Sequence, residues 1–193
     1  MLNLHIFTTK RPTPGNIKLQ NMNLAAFPIL TTERLTLRQL SIDDQHDIFA
    51  LRSDPKINKF LNRQPCKTNE DAINFINKVN DNIDKNGSYY WTITLTGTKT
   101  LVGTICLFDF SSENNSCEIG YELMTKFQGQ GIMKEAAQVV IDYAFQDLRF
   151  KKILAFTHHE NRDSTNLLLK FNFVKSIETD KENPNLNIFT LIQ

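Results

Sequence analysis

The sequence predicts an α/β chain of the α+β kind, with a central mixed, mostly antiparallel sheet of about seven strands and helices on both faces. Three observations lead there. From Tyr89 to Met124 the chain is rich in β-branched and aromatic residues and is broken only by two polar turns, which is the pattern of a three-strand meander. Directly after it, Ile132, Met133, Ala136, Ala137, Val140, Ile141, Ala144, Phe145 and Leu148 return at helical spacing as one apolar stripe. Shorter strand and helix signals flank this centre in the order β-α-α-β-β-β-α-β-α-β-β, with no repeat or linker to divide it. A chain of 193 residues has room for one domain with a real core.

Each element has its own signal. Residues 1 to 22 carry two prolines, a glycine and no periodicity, so they read as an N-terminal extension to a single domain over 23 to 193. Met22 is a plausible start in its own right, and the peptide mass of natively expressed protein would tell an extension from a start-site choice. Leu35, Leu37 and Leu40 give a first strand over Arg34 to Leu40. Ser41 or Asp43 then caps a helix that Asp54-Pro55 stops. Thr68 or Asn69 caps a second helix, striped by Ala72, Ile73, Ile76, Val79 and Ile83 and ended by Asn86-Gly87. Tyr89 to Thr96 and Thr100 to Phe110 form a hairpin around Thr96-Gly97-Thr98-Lys99, and the SSENNS tip turns the chain into Cys117 to Met124. After the long helix come a strand over Lys152 to Thr157, a helix over Asp163 to Phe171, and closing strands at Phe173 to Ile177 and Ile188 to Ile192.

Composition narrows the function. Lysine and arginine number 22 against 21 aspartates and glutamates, so no global field draws the chain to nucleic acid or to an anionic membrane. Cys66, Cys106 and Cys117 have no metal spacing and read as reduced thiols; with no long apolar run and no secretory pattern, the expected compartment is the cytoplasm. His158-His159 is an unpromising metal pair, because adjacent strand residues face opposite ways and no third ligand is spaced with them. No metal is expected.

The most informative stretch is Gly129-Gln130-Gly131, between a strand and a helix. The first N–H groups of that helix lack intrahelical partners and lie at the positive end of its dipole, so the turn suits an anion. Neither the P-loop pattern nor GxGxxG is matched. Gln128-Gly129-Gln130-Gly131-Ile132-Met133 resembles instead the central motif of the GCN5-related N-acetyltransferase (GNAT) superfamily, [Gln/Arg]-x-x-Gly-x-[Gly/Ala] at the start of a long helix. TERLTLRQL (32 to 40), EIGYEL (118 to 123) and GQGIMKEA (129 to 136) look like the branch that acetylates ribosomal-protein N-termini. The resemblance runs from about Ile29 to Gln193.

That resemblance implies the GNAT fold, with a splay between the fourth and fifth strands, and acetyl-CoA as co-substrate. Gln128, Gly129, Gln130, Gly131, Ile132 and Met133 would cradle its pyrophosphate, and a backbone N–H near Leu123 or Met124 would polarise the thioester carbonyl. Asn161 to Phe173 resembles the family's later motif: Asn161 would bond the pantetheine arm, and Ser164 would meet the leaving thiolate. Asn172 stands for the usual glycine, but tolerates the same left-handed conformation. Leu168 stands where many relatives carry a tyrosine acid, so Ser164 or water must serve. Lys134, Arg162 and Lys170 are candidates for the nucleotide phosphates, and Cys117 reads as a core thiol.

On the acceptor side, alternation puts Glu118, Gly120 and Glu122 on one face of their strand and Cys117, Ile119, Tyr121 and Leu123 on the other. Glu118 is the candidate base for the incoming ammonium. Glu122 is either a second acceptor-binding charge or a solvated strand residue. An α-amine, with a pKa of about 7.7–8.0, needs far less help than a lysine near 10.4, so a weak base suits a protein N-terminus. The expected activity is transfer of acetyl to a primary amine by direct attack in a ternary complex, by a monomer or homodimer. The alternatives are a polyamine or aminoglycoside-like acceptor, set by a loop over Pro55 to Thr68, and a coenzyme-binding module without turnover.

Overall fold

The computed structural model describes residues 26–193. The expected extension, residues 1 to 22, lies outside the described residues, as do positions 23 to 25 of the expected domain. The chain opens with β1 (Leu30–Thr31) and β2 (Leu35–Gln39), which pair antiparallel. β1 adds an eighth strand to the seven expected, and two residues are too few to display an alternation.

Ser41 caps a single 3-10 turn, Ile42–Asp44, through a capping box with Asp44, and α1 (Gln45–Ser53) follows. Asp54 does end α1, and the same residue caps α2 (Pro55–Asn58) with the proline in its first turn. This four-residue helix inside the expected acceptor loop carries no periodic signal. α3 (Asn69–Asp84) begins with a Thr68–Asp71 capping box. It ends where Asn86 turns left-handed (φ 55°) and the Gly87 N–H reaches the Asn82 carbonyl, a Schellman closure.

β3 (Ser88–Leu95), β4 (Leu101–Ser111) and β5 (Ser116–Leu123) form the meander. α4 (Ile132–Gln146) is followed by β6 (Lys152–His158), α5 (Arg162–Lys170), β7 (Val174–Thr179) and β8 (Leu186–Ile192). The sheet order is β1-β2-β3-β4-β5-β6-β8-β7, with β5 and β6 parallel and the other pairs antiparallel. Asn172 has φ 61° after α5, and Phe173 N–H bonds the Leu168 carbonyl, so asparagine fills the left-handed position as expected.

Two apolar layers sandwich the sheet. Trp91, Ile105, Leu107, Cys117, Ile119, Tyr121 and Leu123 pack with the α4 stripe and with Leu167 and Leu168 of α5. On the opposite face Tyr90, Cys106 and Phe108 pack with Ile48 and Leu51 of α1 and Ala72, Ile76 and Val79 of α3. α4 stops two residues short of Leu148, yet Leu148 stays buried beneath it. All three cysteines are buried and unpaired.

Candidate active site

β5 and β6 run parallel, but their ladder has only three rungs: Ser116↔Lys152, Cys117↔Ile153 and Glu118↔Leu154. Beyond Glu118 the strands part, and a cleft opens between Ile119–Leu123 and Ala155–His158. What β5 offers that cleft follows from its other edge. Met124 N–H bonds the Val102 carbonyl at 2.9 Å, which fixes Val102/Met124 as a hydrogen-bonded pair. In an antiparallel ladder such pairs alternate. With the register Gly103↔Leu123, Thr104↔Glu122, Ile105↔Tyr121, Cys106↔Gly120 and Phe108↔Glu118, the main chain of Glu118, Gly120 and Glu122 turns to β4. That of Ile119, Tyr121 and Leu123 turns to the cleft.

This separates the two candidate oxyanion donors. The Leu123 N–H faces the cleft. Met124 is corrected: its N–H is spent on Val102, and its side chain packs in the α1/α3 layer, away from the coenzyme side. The Tyr121 N–H, which the sequence reading did not single out, faces the cleft alongside Leu123. Close approach of β4 holds this segment, because a Cβ on Gly103 would lie 2.5 Å from the Glu122 carbonyl oxygen.

At the end of β5 the chain enters the glycine turn. Gly129 and Gly131 have φ of 76° and 77°, a region that glycine enters without the Cβ clash. Above Gly129 a Cβ would meet nothing within 4 Å. Glycine is required here for backbone conformation, and it leaves open space over the α4 N-terminus. A cavity of about 340 Å³ lies there, walled by Leu123, Gln128, Gly129, Gly131, Ile132 and Met133 on one side. Lys134 and, from α5, Asp163, Asn166, Leu167 and Lys170 complete it. Lys134 and Lys170 of the three candidate phosphate contacts are among these residues; Arg162 is not. Unpartnered helix amides, two left-handed glycines and two lysines around one opening fit a pyrophosphate.

The turn is braced from a distance. Gln128 Nε2 donates to the Leu123 carbonyl at 2.9 Å and Gln130 Nε2 to the Lys126 carbonyl at 3.0 Å. From the β1–β2 turn, Thr32 Oγ1 donates to Glu135 Oε1 at 2.5 Å, and Arg34 Nε to Glu135 Oε2 at 2.7 Å. Arg34 Nη1 also reaches the Gln130 carbonyl at 3.3 Å. Burial works to raise the Glu135 pKa, but the bonds from Thr32 and Arg34 win and hold it below the usual carboxylate range. The TERL segment thus clamps the first turn of α4. Its sequence signal was the motif itself, which carried a resemblance but no role.

Across the cleft, Asn161 caps α5 by accepting from Ser164 N at 3.3 Å, so its carboxamide oxygen is committed to the helix. Ser164 is fully buried. The Tyr121 phenol, also buried, points to the same place: it lies against Ser164 but makes no hydrogen bond of ordinary geometry among the described residues. Burial pushes the Tyr121 pKa well up, and the Ser164 contact offsets this only in part. Leu168 is a core residue in the α4/α5 layer.

The acceptor face carries the carboxylates. Glu118 is the last residue of β5 paired with β6, so it stands at the fork of the cleft, and it is 4% exposed. Glu122 is wholly buried, which overturns the solvated reading. Its two oxygens receive Nη1 and Nη2 of Arg63 at 2.5 and 2.8 Å, a bidentate pair, and Arg52 Nη1 stands 3.9 Å away. Arg63 belongs to the segment between α2 and α3. From that segment Phe60 also stacks on His158, at the end of β6, with centroids 5.2 Å apart. One loop therefore touches both arms of the cleft.

His158 and His159 stack on each other at 4.5 Å rather than facing opposite ways, because β6 ends at His158 and alternation ends with it. Burial, then the neighbouring His159, lowers the His158 pKa. Among the described residues no group of three or more His, Cys, Asp or Glu is placed to hold a metal, and no helix is long and apolar enough to cross a membrane. Burial and the nearby Glu118 push the Cys117 thiol pKa up, as suits a core residue.

A parted β5–β6 pair with a glycine turn leading into a buttressed helix makes a cleft whose mouth suits a diphosphate-bearing co-substrate. The family model of the acetyltransferase (GNAT) domain matches residues 34–174, and the chain belongs to that family; it is an acetyl-CoA-dependent N-acetyltransferase. The chain is 34% identical to the uncharacterized N-acetyltransferase p20 of Bacillus licheniformis over 146 residues, 76% of this chain and 82% of that protein. Its fold is similar to that of RimL, a ribosomal L7/L12 alpha-N-protein acetyltransferase solved with coenzyme A, with a TM-score of 0.76 at 16% identity over 86% and 98% of the two chains. It is also similar to the ribosomal-protein-S5-alanine acetyltransferase of Vibrio fischeri, with a TM-score of 0.71 at 19% identity over 86% and 96%.

Proposed function

We propose that this acetyltransferase modifies the free α-amine of a protein or peptide N-terminus, by direct attack in a ternary complex. The observation that carries the reading is Glu118, a nearly buried carboxylate at the fork where the cleft-facing amides of β5 begin. Acetyl-CoA, when bound, supplies the activated acetyl thioester. The amides of the Gly129–Met133 turn, with Lys134 and Lys170, hold its phosphates, and Asn161, at the start of α5, meets the pantetheine arm. The N–H groups of Tyr121 and Leu123 are the oxyanion donors.

The Glu118 carboxylate takes a proton from the incoming ammonium, directly or through one water; the neutral amine then attacks, the N–C bond forms, the C–S bond breaks, and the second amine proton leaves to water as the amide forms. The Ser164 hydroxyl donates to the departing sulfur. Tyr121, whose raised pKa keeps it protonated, lies against Ser164 and is the donor that would turn the serine's own hydrogen toward the sulfur once the co-substrate is bound. This buried phenol comes from β5 rather than α5 and works where Leu168 cannot. The folds shared with RimL and the S5-alanine enzyme support an N-terminal acceptor.

Thiol release from acetyl-CoA with free-N-terminus peptides, polyamines and aminoglycosides tests the reading, wild type beside Glu118→Ala. Peptide-dependent release that collapses in the variant is the expected result. Release with small polyamines alone would move the acceptor to that class, and binding of acetyl-CoA without release would make the chain a coenzyme-binding module.

A further inference from the structure

The face of β5 that bears Glu118 also bears Gly120 and Glu122, and Gly120 projects no side chain between the two carboxylates. The rows of the sheet extend this strip toward α3. Glu118 is level with Phe108 and Ser88, and Ser88 Oγ accepts from Asn82 Nδ2 of α3 at 2.8 Å. Glu122, about 13 Å further along the strand at ~3.3 Å per residue, meets Arg63 and Arg52. Arg52 and Arg63, which reach Glu122, and Asn82, which reaches Ser88, share a second cavity of about 340 Å³ with Phe75, Lys78 and Lys85, and Asp81 is its one acidic lining residue.

The charges there do not cancel. Glu122 is taken up bidentately by Arg63, whose side chain is 6% exposed, and Arg52 stands at 3.9 Å from the same oxygen. The Arg52 guanidinium instead rests on the Phe75 ring, 3.6 Å from its centroid, and its Nε is buried with no hydrogen-bond partner among the described residues. Two arginines thus share one buried carboxylate, and Lys78 and Lys85 add two further cations at the rim. A half-buried guanidinium with an unfilled donor is costly unless an anion completes it. The same cations repel a second ammonium.

We infer that this cavity binds a carboxylate carried by the acceptor itself, so that the preferred substrate is an amine with an acidic group a few residues away and not a polycation. The inference rests on the reading of the chain as an amine acetyltransferase and narrows its acceptor. The distance from the Glu118 level to the arginines matches an extended peptide whose acidic side chain lies at about the third to fifth position. A small amino-carboxylate reaching the rim offers the same chemistry.

The test is thiol release at low and moderate salt with three peptides that share a free N-terminus and carry Glu, Gln or Lys at position four, together with free aspartate, free glutamate and spermidine. The expected order of kcat/KM is Glu over Gln over Lys, spanning about ten-fold at low salt and less as salt rises. In Lys78→Glu/Lys85→Glu the order reverses; both lysines are exposed, so the thermal midpoint stays close to wild type and separates the effect from unfolding. Equal rates for the three peptides would overturn this inference and leave the N-terminal reading intact. Turnover of the free acidic amino acids with no peptide acetylated would uphold the inference and overturn the N-terminal reading. Preference for spermidine would overturn both.

Discussion

The two sides of the cleft are built by opposite means. On the proposed coenzyme side the groups on offer are main-chain amides held by local conformation: two left-handed glycines, a helix start and the alternation of β5. On the proposed acceptor side they are side chains from segments far apart in the chain, with Arg52 from the end of α1, Arg63 from a loop and Glu122 from β5, all meeting in a buried cluster. A backbone site tolerates sequence change as long as the conformation survives. A side-chain site is open to redesign, which is where enzymes on one scaffold come to differ.

The largest effect is expected where the acceptor side is broken. Replacing Glu122 by Gln leaves Arg63 without its counter-charge in the interior, and such losses cost about 3–5 kcal/mol. Thermal unfolding should show the loss, and Arg63→Met with Glu122→Gln together should restore part of it, because neither charge is then left alone. If the double variant is as unstable as the sum of the two single changes, the cluster is not a coupled unit.

Next comes the proposed base, Glu118. Glu118→Gln should lower kcat by about a hundred-fold near neutral pH, the range for removing a general base. The deficit should shrink as the pH rises past about 8, because an α-amine with a pKa of about 7.7–8.0 then arrives already neutral. A constant deficit across pH would argue that Glu118 shapes the site without taking the proton.

The coenzyme side should respond in its own currency. Gly131→Val forces a β-branched residue to φ near 77°, where strain of about 1–3 kcal/mol is normal. Acetyl-CoA affinity should fall by about ten-fold or more, while the ranking of acceptors stays as it was. The smallest effect belongs to the clamp. Arg34 and Glu135 are partly exposed, so Arg34→Ala should raise the KM for acetyl-CoA only a few-fold. Because the Glu135 pKa is depressed in the fold, its stabilising contribution is present above the unfolded value near 4.3 and is lost as pH falls through the folded one. Thermal melts of wild type and Glu135→Gln should therefore converge in acid.

This contrast also explains what could be read from the chain. The meander, the α4 stripe, the Thr68 cap and the left-handed Asn172 were legible because propensity, periodicity and capping are local. The conformation of the glycine turn was legible for the same reason, since two glycines before a helix ask for positive φ. Met124 was misjudged because facing the cleft depends on which partner takes each amide, a property of register with β4. Glu122 offered two readings because its partners lie 59 residues away for Arg63 and further for Arg52, with no spacing to join them. The two histidine rings stack, against the alternation expected of them, because β6 ends at His158, a boundary that no residue there marks. Tyr121 was placed on the correct face, but its meeting with Ser164 depends on how α5 docks.

The most direct test of the central claim is to identify the acetylated atom. A peptide with a free N-terminus and an internal lysine is incubated with the enzyme and acetyl-CoA, and the product is mapped by fragment mass spectrometry against thiol released. One acetyl on the α-amine for each thiol, with the lysine untouched, is the result this structure leads us to expect. Acetyl on the lysine, or on a polyamine with the peptide unmodified, would contradict it.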